Sequence, residues 1–302
     1  MSAMTMTAQD RSGRAADAPS PGDDAASAVT RLFTREGPRI RALTLRLCKS
    51  DAEAQDAMQD TFVAALKGWK NFRGDSDPGT WLYTIALRAC RARWRAKARR
   101  SATMPGFDRL IPFAETTVMA AAAKGPDAAQ RAIDRETLAN MQDAIAQLPE
   151  HFRVALVLKE LLELPVEQLA EVLGLKVDTV KTRLHRARLL LRQTLTSNAA
   201  SVPAPAPIYD RQVCLDLLKA KLAAMDGGRS SVIPQAQVCA RCRAVFQELN
   251  MVQDACARLA EASIPSELKA RILAAIRERD QNADSAAPRM RGRKPVAARR
   301  RT

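Results

Sequence analysis

Histidine and aromatic side chains are scarce in this chain of 302 residues, which has two His, two Tyr, three Trp and seven Phe. His151 and His185 stand apart without paired carboxylates, so neither a histidine metal cluster nor an acid–base pair is in view and catalysis is not expected. No run of 18 apolar residues occurs, which excludes a bilayer-spanning helix. Residues 1–26 are small, polar and broken by Pro and Gly, and they carry Asp10, Asp17, Asp23 and Asp24 in place of the apolar core of a signal peptide. A disordered N-terminus and a cytoplasmic location are therefore expected. Six cysteines are too few for a disulfide scaffold at this length and point to reduced thiols or metal ligands. Runs of β-branched residues are equally rare while helix formers dominate, so the fold class expected is all-α. What is abundant is positive charge. The net charge is +15 and the isoelectric point about 10.1, which calls for a polyanionic partner, either nucleic acid or an acidic membrane surface.

The strongest pattern runs from Leu164 to Leu195. Val166, Leu169, Ala170 and Leu173 make the apolar face of one helix, and Gly174 follows at the position where a left-handed residue ends a helix. After a three-residue turn, Val177, Val180, Leu184, Ala187 and Leu191 recur at steps of three and four and form the buried stripe of a second helix. Asp178, Thr179, Lys181, Thr182, Arg183, His185, Arg186 and Arg188 crowd its other face, the composition of a helix that enters the major groove. An αα-hairpin with a solvated basic face shares this spacing, but the helix-turn-helix is favoured. Lys176 is a poor N-cap, so Asp178 in the first turn is expected to oppose the helix dipole.

Upstream, a helix over Ser27 to Cys48 is expected to kink or divide at Gly37-Pro38. A second, from Asp51 to Trp69, buries Ala54, Met58, Phe62, Ala65, Leu66 and Trp69 and presents Asp51, Glu53, Asp56 and Asp60 as an acidic face. That face is solvated surface or a protein contact. Gly74 to Gly79 reads as a loop, with Asp77-Pro78 capping the helix that follows. Trp69, Trp81, Trp94, Phe72 and Tyr83 gather in and beside that helix with Arg88, Arg91, Arg93 and Arg95. This mixture suits single-stranded nucleic acid, and it suits equally a packed core beneath solvated arginines.

The blocks assemble into a domain map: 27–100, a first helical domain; 101–131, a linker; 132–196, a second helical domain ending in the helix-turn-helix; 197–207, an Ala/Pro linker; 208–276, a small cysteine-containing helical domain; and 277–302, a basic disordered tail. In 132–196 a helix ending near Gln147 and another from Pro149 to about Leu162 precede the helix-turn-helix. His151 there reads as structural. The tail holds Arg289, Arg291, Arg293, Lys294, Arg299, Arg300 and Arg301 and suits phosphates.

In this order the blocks resemble bacterial RNA polymerase sigma factors of the extracytoplasmic-function group. Ala54 to Phe62 resembles the group's region 2 helix, with Gln55, Ala57 and Asp60 departing from its usual residues. Phe72 to Tyr83 resembles its promoter-melting loop, with Pro78-Gly79 departing. Leu148 to Arg188 resembles its region 4. The resemblance implies two partners, the RNA polymerase core and promoter DNA, with no membrane. It implies that Asp56, Gln59, Asp60 and Phe62 bind the core. Phe72, Arg73, Gly74, Asp75, Ser76, Trp81 and Tyr83 would then frame a captured base of the minus-10 element, and Thr179, Lys181, Thr182, Arg183, His185 and Arg186 would read the minus-35 element. A DNA-binding response regulator shares the helix-turn-helix but needs an upstream α/β sensor, for which no strand pattern is present. No cofactor is required. Residues 208–276 resemble a zinc-containing anti-sigma fold through Cys214 and Cys239-x-x-Cys242, with Gln235 where that motif has histidine. Zinc or another thiophilic metal at Cys214, Cys239 and Cys242 is then implied, with Asp210, Asp226, Cys256 or water as fourth ligand. A metal-free hairpin with buried thiols is the alternative. Intramolecular docking of this domain on the other two, modulating promoter access according to metal or thiol state, is a further expectation.

Overall fold

The structure, a computed structural model, describes residues 18–48, 50–95, 110–119, 139–198, 201–227, 235–260 and 262–285. It is helical apart from one two-stranded antiparallel ribbon, β1 (Thr117–Met119) and β2 (Ser201–Pro203), in which Val118 pairs with Val202.

Helices α1 (Ala25–Leu47), α2 (Asp51–Gly68) and α3 (Pro78–Arg95) pack on one another. Each begins where a short polar side chain satisfies the free amides of the first turn. Asp24 accepts from the Ser27 N–H at 2.8 Å, Ser50 from Glu53 at 3.2 Å, and Asp77 from Gly79 at 2.8 Å and Thr80 at 3.2 Å. Pro78 and Gly79 therefore belong to the first turn of α3, and the loop expected to reach Gly79 ends at Asp77. Phe33 and Phe62 meet edge to face at 5.0 Å in the middle of this core, where burial of each ring stabilises by roughly 1.5–3 kcal/mol. The α1 helix neither breaks nor divides at Pro38. Phe33 and Ile40, on either side of the proline, are both buried, and their packing outweighs the one backbone hydrogen bond that proline removes.

Residues 18–26 are more ordered than their composition suggests. Pro19 is buried, the indole N–H of Trp69 donates to the Asp23 carbonyl at 3.1 Å, and Asp23 pairs with Arg31. Residues 1–17 lie outside the described residues, as do the start of the helix expected from residue 132 and the tail beyond residue 285.

The second half comprises a helical segment over 139–147, α4 (Glu150–Leu156) continued by a π-helical turn (Val157–Leu161), α5 (Val166–Leu173) and α6 (Val177–Asn198). Gly174 ends α5 at φ 64° and ψ 41°, and the next amide, Leu175, reaches back to the Ala170 carbonyl at 2.9 Å. This left-handed position costs glycine nothing and any larger residue strain, which is why the turn stands at this place in the sequence. Val180, Leu184, Ala187 and Leu191 are fully buried beneath α6.

The C-terminal helices are α7 (Arg211–Asp226), α8 (Ala240–Arg258) and α9 (Ser266–Ser285). The last runs past residue 276, where a disordered tail was expected, because Leu268, Ile272 and Ile276 bury an apolar stripe against α1 and α2. Helices α7 and α8 pack on α6, and α8 also meets the π-helical turn and β1. The two segments expected to be plain linkers are joined to each other as β1 and β2. Leu110, Ile111 and Val118 of the first are buried. The ribbon is held by long-range partners no local pattern reveals: the Glu248 carboxylate accepts from the Met119 N–H at 2.7 Å, and the Arg241 guanidinium donates to the Phe113 and Glu115 carbonyls.

Candidate nucleic-acid interface

The exposed side of α6 keeps its expected character at the N-terminal end. Thr179, Lys181 and Thr182 are exposed and Arg183, His185 and Arg186 partly so. Asp178, Thr179, Thr182, Arg183 and Arg186 line an open cleft of about 440 Å³ with His151 and Phe152 of α4. Burial and the nearby charge of Arg183 hold the His151 imidazole below its usual range, and burial followed by the charge of Arg91 lowers Arg183 in turn. The guanidinium groups of Arg183 and Arg186 make the cleft cationic beside the carboxylate of Asp178.

One turn further along, the same face turns inward. Arg188, assigned by its spacing to the polar face, is fully buried. It donates to Glu160 at 2.8 Å and to Asp226 at 2.5 Å. His185 lies 2.8 Å from the other oxygen of Asp226. Burial pushes the Asp226 carboxyl up, but hydrogen bonds and charge from His185 and Arg188 hold it, in balance, below the ordinary carboxylate value. Arg192 repeats the arrangement, donating to Glu248 at 2.6 Å and to Glu115 at 2.9 and 2.6 Å. Sequence reasoning placed Arg188 on the DNA-facing side and offered Asp226 as a metal ligand, and it missed Arg192, Glu160 and Glu248 altogether. The signal for the two glutamates was acids standing inside apolar runs, VALVLKELLELP and AVFQELNMV. The π-helical turn carries Glu160, the local irregularity that sets its carboxylate beneath α6.

In the first half, Trp69, Phe72 and Trp81 form one aromatic cluster. Trp69 stacks on Phe72 at 4.9 Å, and Trp81 meets them at 5.7 and 5.3 Å. Phe72 is buried and Trp81 half-buried, while Arg73, Gly74 and Asp75 are exposed on the loop and Ser76 partly so. Gly74 adopts φ 80° with Pro21 so near that a Cβ would stand 2.8 Å from its ring, so the loop is shaped by both its backbone and its neighbour. Tyr83 is not on this surface. Its hydroxyl donates to the buried Glu36 at 2.5 Å beneath the loop, and burial raises its pKa. Trp94 and Arg95 have side chains outside the described set.

On α2, Asp56 is exposed and Gln59 half-buried. Asp60 is paired with Arg93 at 2.8 Å, and Phe62 is wholly inside the core, where it offers no surface to a partner. Asp51 is paired with Arg41.

Cys214, Cys239 and Cys242 do converge, in a buried apolar nest with Val238, Leu217, Phe113 and Phe246. Burial followed by hydrogen bonds and charge from its two neighbours raises Cys242; burial raises Cys214; and Cys239, which opens α8, is lowered despite burial by hydrogen bonds from Cys242 and the Ile208 and Arg241 backbone. Asp210 caps α7, Asp226 is committed to His185 and Arg188, and Cys256 is buried elsewhere, in the core α9 joins. Among the described residues no group of three or more His, Cys, Asp or Glu is arranged to hold a metal ion. The thiols as placed therefore do not fit a closed four-ligand zinc centre.

A three-helix unit with an exposed loop over an aromatic floor, followed by a helix-turn-helix with a cationic leading face, is the arrangement of a double-headed DNA-binding protein. Residues 32–100 match the family model for Sigma-70 region 2, and residues 138–191 that for Sigma-70, region 4. Over 158 residues the chain is 36% identical to the RNA polymerase sigma-H factor of Pseudomonas aeruginosa, covering 52% of this chain and 80% of that one. It is 30% identical over 191 residues to the ECF RNA polymerase sigma factor SigE of Mycolicibacterium smegmatis, covering 61% and 68%. It is 34% identical over 145 residues to the RNA polymerase sigma factor YlaC of Bacillus subtilis, covering 48% and 79%. The chain belongs to the extracytoplasmic-function group of the sigma-70 family, whose members direct RNA polymerase to promoters at transcription initiation. No described helix is long and apolar enough to cross a membrane.

Proposed function

We propose that this sigma factor carries its own regulator: the α7–α9 unit holds the two promoter-binding halves in a closed arrangement that cannot engage a promoter, and the state of its thiols governs release. The observation that carries the reading is the direct contact of the two halves. Helix α3 packs on α5, and Arg91 of α3 pairs with Glu150 of α4 at 3.4 Å. Elements at minus 10 and minus 35 are separated by about 25 base pairs, or about 85 Å at 3.4 Å per step, so helices in contact do not reach both at once. Asp226 and Glu248 of the C-terminal unit engage α6, while α9 covers α1 and α2, with Arg271 reaching Gln55 on the helix that faces the polymerase in this reading.

In the opened molecule Thr179, Lys181, Thr182, Arg183, His185 and Arg186 read the minus-35 duplex. Phe72, Arg73, Gly74, Asp75, Ser76 and Trp81 capture the extruded minus-10 base, and Asp56, Gln59 and Asp60 meet the core enzyme. Binding to separated strands shifts the duplex toward the melted state without any catalytic group in this chain. Asp226 holds the Nε2 of His185, so use of that nitrogen at a base edge requires the C-terminal unit to let go.

Control rests with Cys214, Cys239 and Cys242. Three neighbouring thiols, Cys214 on α7 and Cys239 and Cys242 at the head of α8, suit oxidation, which would shift α7 against α8. Run-off transcription with purified core polymerase tests the reading. The chain lacking residues 205–302 is expected to initiate at least about tenfold more than the full chain, a difference of about 1.4 kcal/mol. Cys239→Ser with Cys242→Ser is expected to shift activity in the same direction. Equal activity of all three proteins across zinc, copper and oxidant titrations would leave the C-terminal unit as a tether.

A further inference from the structure

Two thiols outside every site described so far meet inside the region 2 half. Cys48 is the extended residue that ends α1 and is half-buried; Cys90 is fully buried on α3; their sulfurs lie 3.9 Å apart. That is within reach of a sulfur hydrogen bond and one short side-chain movement from the roughly 2.05 Å of a disulfide. The two positions are unequal. Cys48 is reachable from solvent, with the cations Arg93 and Arg41 near it and Glu53 as the opposing acid. A hydrogen bond from the Cys90 thiol, together with those cations, favours the thiolate at Cys48 against burial and the charge of Glu53. Cys90 is kept protonated by the same hydrogen bond and by burial. A half-buried sulfur inclined to ionise beside a buried protonated partner is the pairing of an attacking and a resolving thiol.

We propose that Cys48 and Cys90 form an oxidant-sensitive dithiol that a hydroperoxide converts to an intramolecular disulfide tying α1 to α3. The Cys48 thiolate attacks a peroxide oxygen. A sulfur–oxygen bond forms as the oxygen–oxygen bond breaks, and the departing hydroxide takes up a proton as water, leaving a sulfenic acid. The Cys90 sulfur then attacks the Cys48 sulfur. The sulfur–sulfur bond forms, the sulfur–oxygen bond breaks, and the leaving hydroxide accepts the Cys90 proton. Two thiols and one hydrogen peroxide become one disulfide and two waters. The bond would close the seam between α1 and α3 three residues before Arg93, whose guanidinium pairs with Asp60 on α2. The proposal is independent of any role for Cys214, Cys239 and Cys242, which lie in a different unit.

Full-length protein would be titrated with hydrogen peroxide, quenched with N-ethylmaleimide under denaturing conditions and digested without reductant for peptide mass mapping. Peptides joined through Cys48 and Cys90 are expected within single chains at dilute protein, and dithiothreitol should abolish them. Cys90→Ala should leave a Cys48 sulfenic acid that dimedone traps, whereas Cys48→Ala should slow oxidation of Cys90 on the order of tenfold or more. Mapping of the unaltered chain decides the matter even if a variant fails to fold. The proposal is overturned if Cys48 and Cys90 both remain alkylated while the C-terminal cysteines are consumed, or if Cys48 links only to a second chain.

Discussion

The C-terminal helices meet region 2 through an apolar seam, whereas against region 4 an apolar cluster of Leu189, Leu218, Leu222, Met225, Val245 and Leu249 is joined by buried ion pairs. Against region 2, α9 buries Leu268, Ile272 and Ile276, each about 1% exposed, among the side chains of α1 and α2, and Ile264 reaches Gly37. Against region 4, α7 and α8 present Asp226 and Glu248 to Arg188 and Arg192. The apolar seam draws its strength from area removed from water, which moderate pH does not alter and which is not subject to the charge screening that weakens ion pairs. The ionic seam must first strip water from every partner, so its net stabilisation is small, but it tolerates no missing member and fixes which residues of α6 face inward. A unit that separates from DNA-binding groups at one seam while staying anchored at the other would place its reversible contacts on the ionic side.

The largest effect is expected from Arg188→Ala. It leaves Glu160 and Asp226 buried without their shared cation and should lower unfolding stability by about 3–5 kcal/mol in urea denaturation. A loss below about 1 kcal/mol would mean that α7 leaves α6 freely and that the ionic seam is not formed in solution.

Ile272→Ala comes next, with an expected loss of about 2–4 kcal/mol from a buried aliphatic site. The same melts between low salt and about 0.5 M salt should show this loss unchanged, because the contacts that Ile272 makes are apolar and carry no charge to screen. Salt dependence at this position would erase the distinction between the two seams.

The smallest effect is expected from Asp226→Asn, about 1–3 kcal/mol, and it should carry the pH dependence. In the folded protein Asp226 is held below the ordinary carboxylate value, against about 3.9 in the unfolded chain. A depressed folded value contributes stability that is fully present above the unfolded value and is lost as pH falls through the folded one. The gap between the parent and Asp226→Asn should thus be widest between about pH 5 and 7 and shrink progressively below about pH 4. A gap that widens in acid would place the proton on another group.

Much of the fold was legible because its signals are local. Asp77-Pro78 caps α3, Gly174 takes the left-handed turn of the helix-turn-helix, and the stripe Val180, Leu184, Ala187, Leu191 is buried as its period requires. The exposure of the leading face of α6 was legible for the same reason: its polar and basic residues fall opposite the apolar stripe at helical spacing. Phe62 was legible as a buried position from its helical spacing, while Tyr83 was not: a motif indicates that an aromatic ring is needed at a position, but its burial beneath the loop depends on Glu36, far along the chain.

By itself, then, the amino-acid order determined the helical class, the two DNA-facing motifs, their caps and their sequence of blocks, since periodicity and capping act over one or two turns. Tertiary structure alone determined that Arg188 and Arg192 turn inward to acids 28 to 77 residues away, that two apparent linkers pair as strands, and that Cys48 meets Cys90 across 42 residues. Charges and thiols carry no period of their own. Whether such a group faces water, DNA or a buried partner is set by which distant segment folds against it, and that follows from the packing of the whole chain.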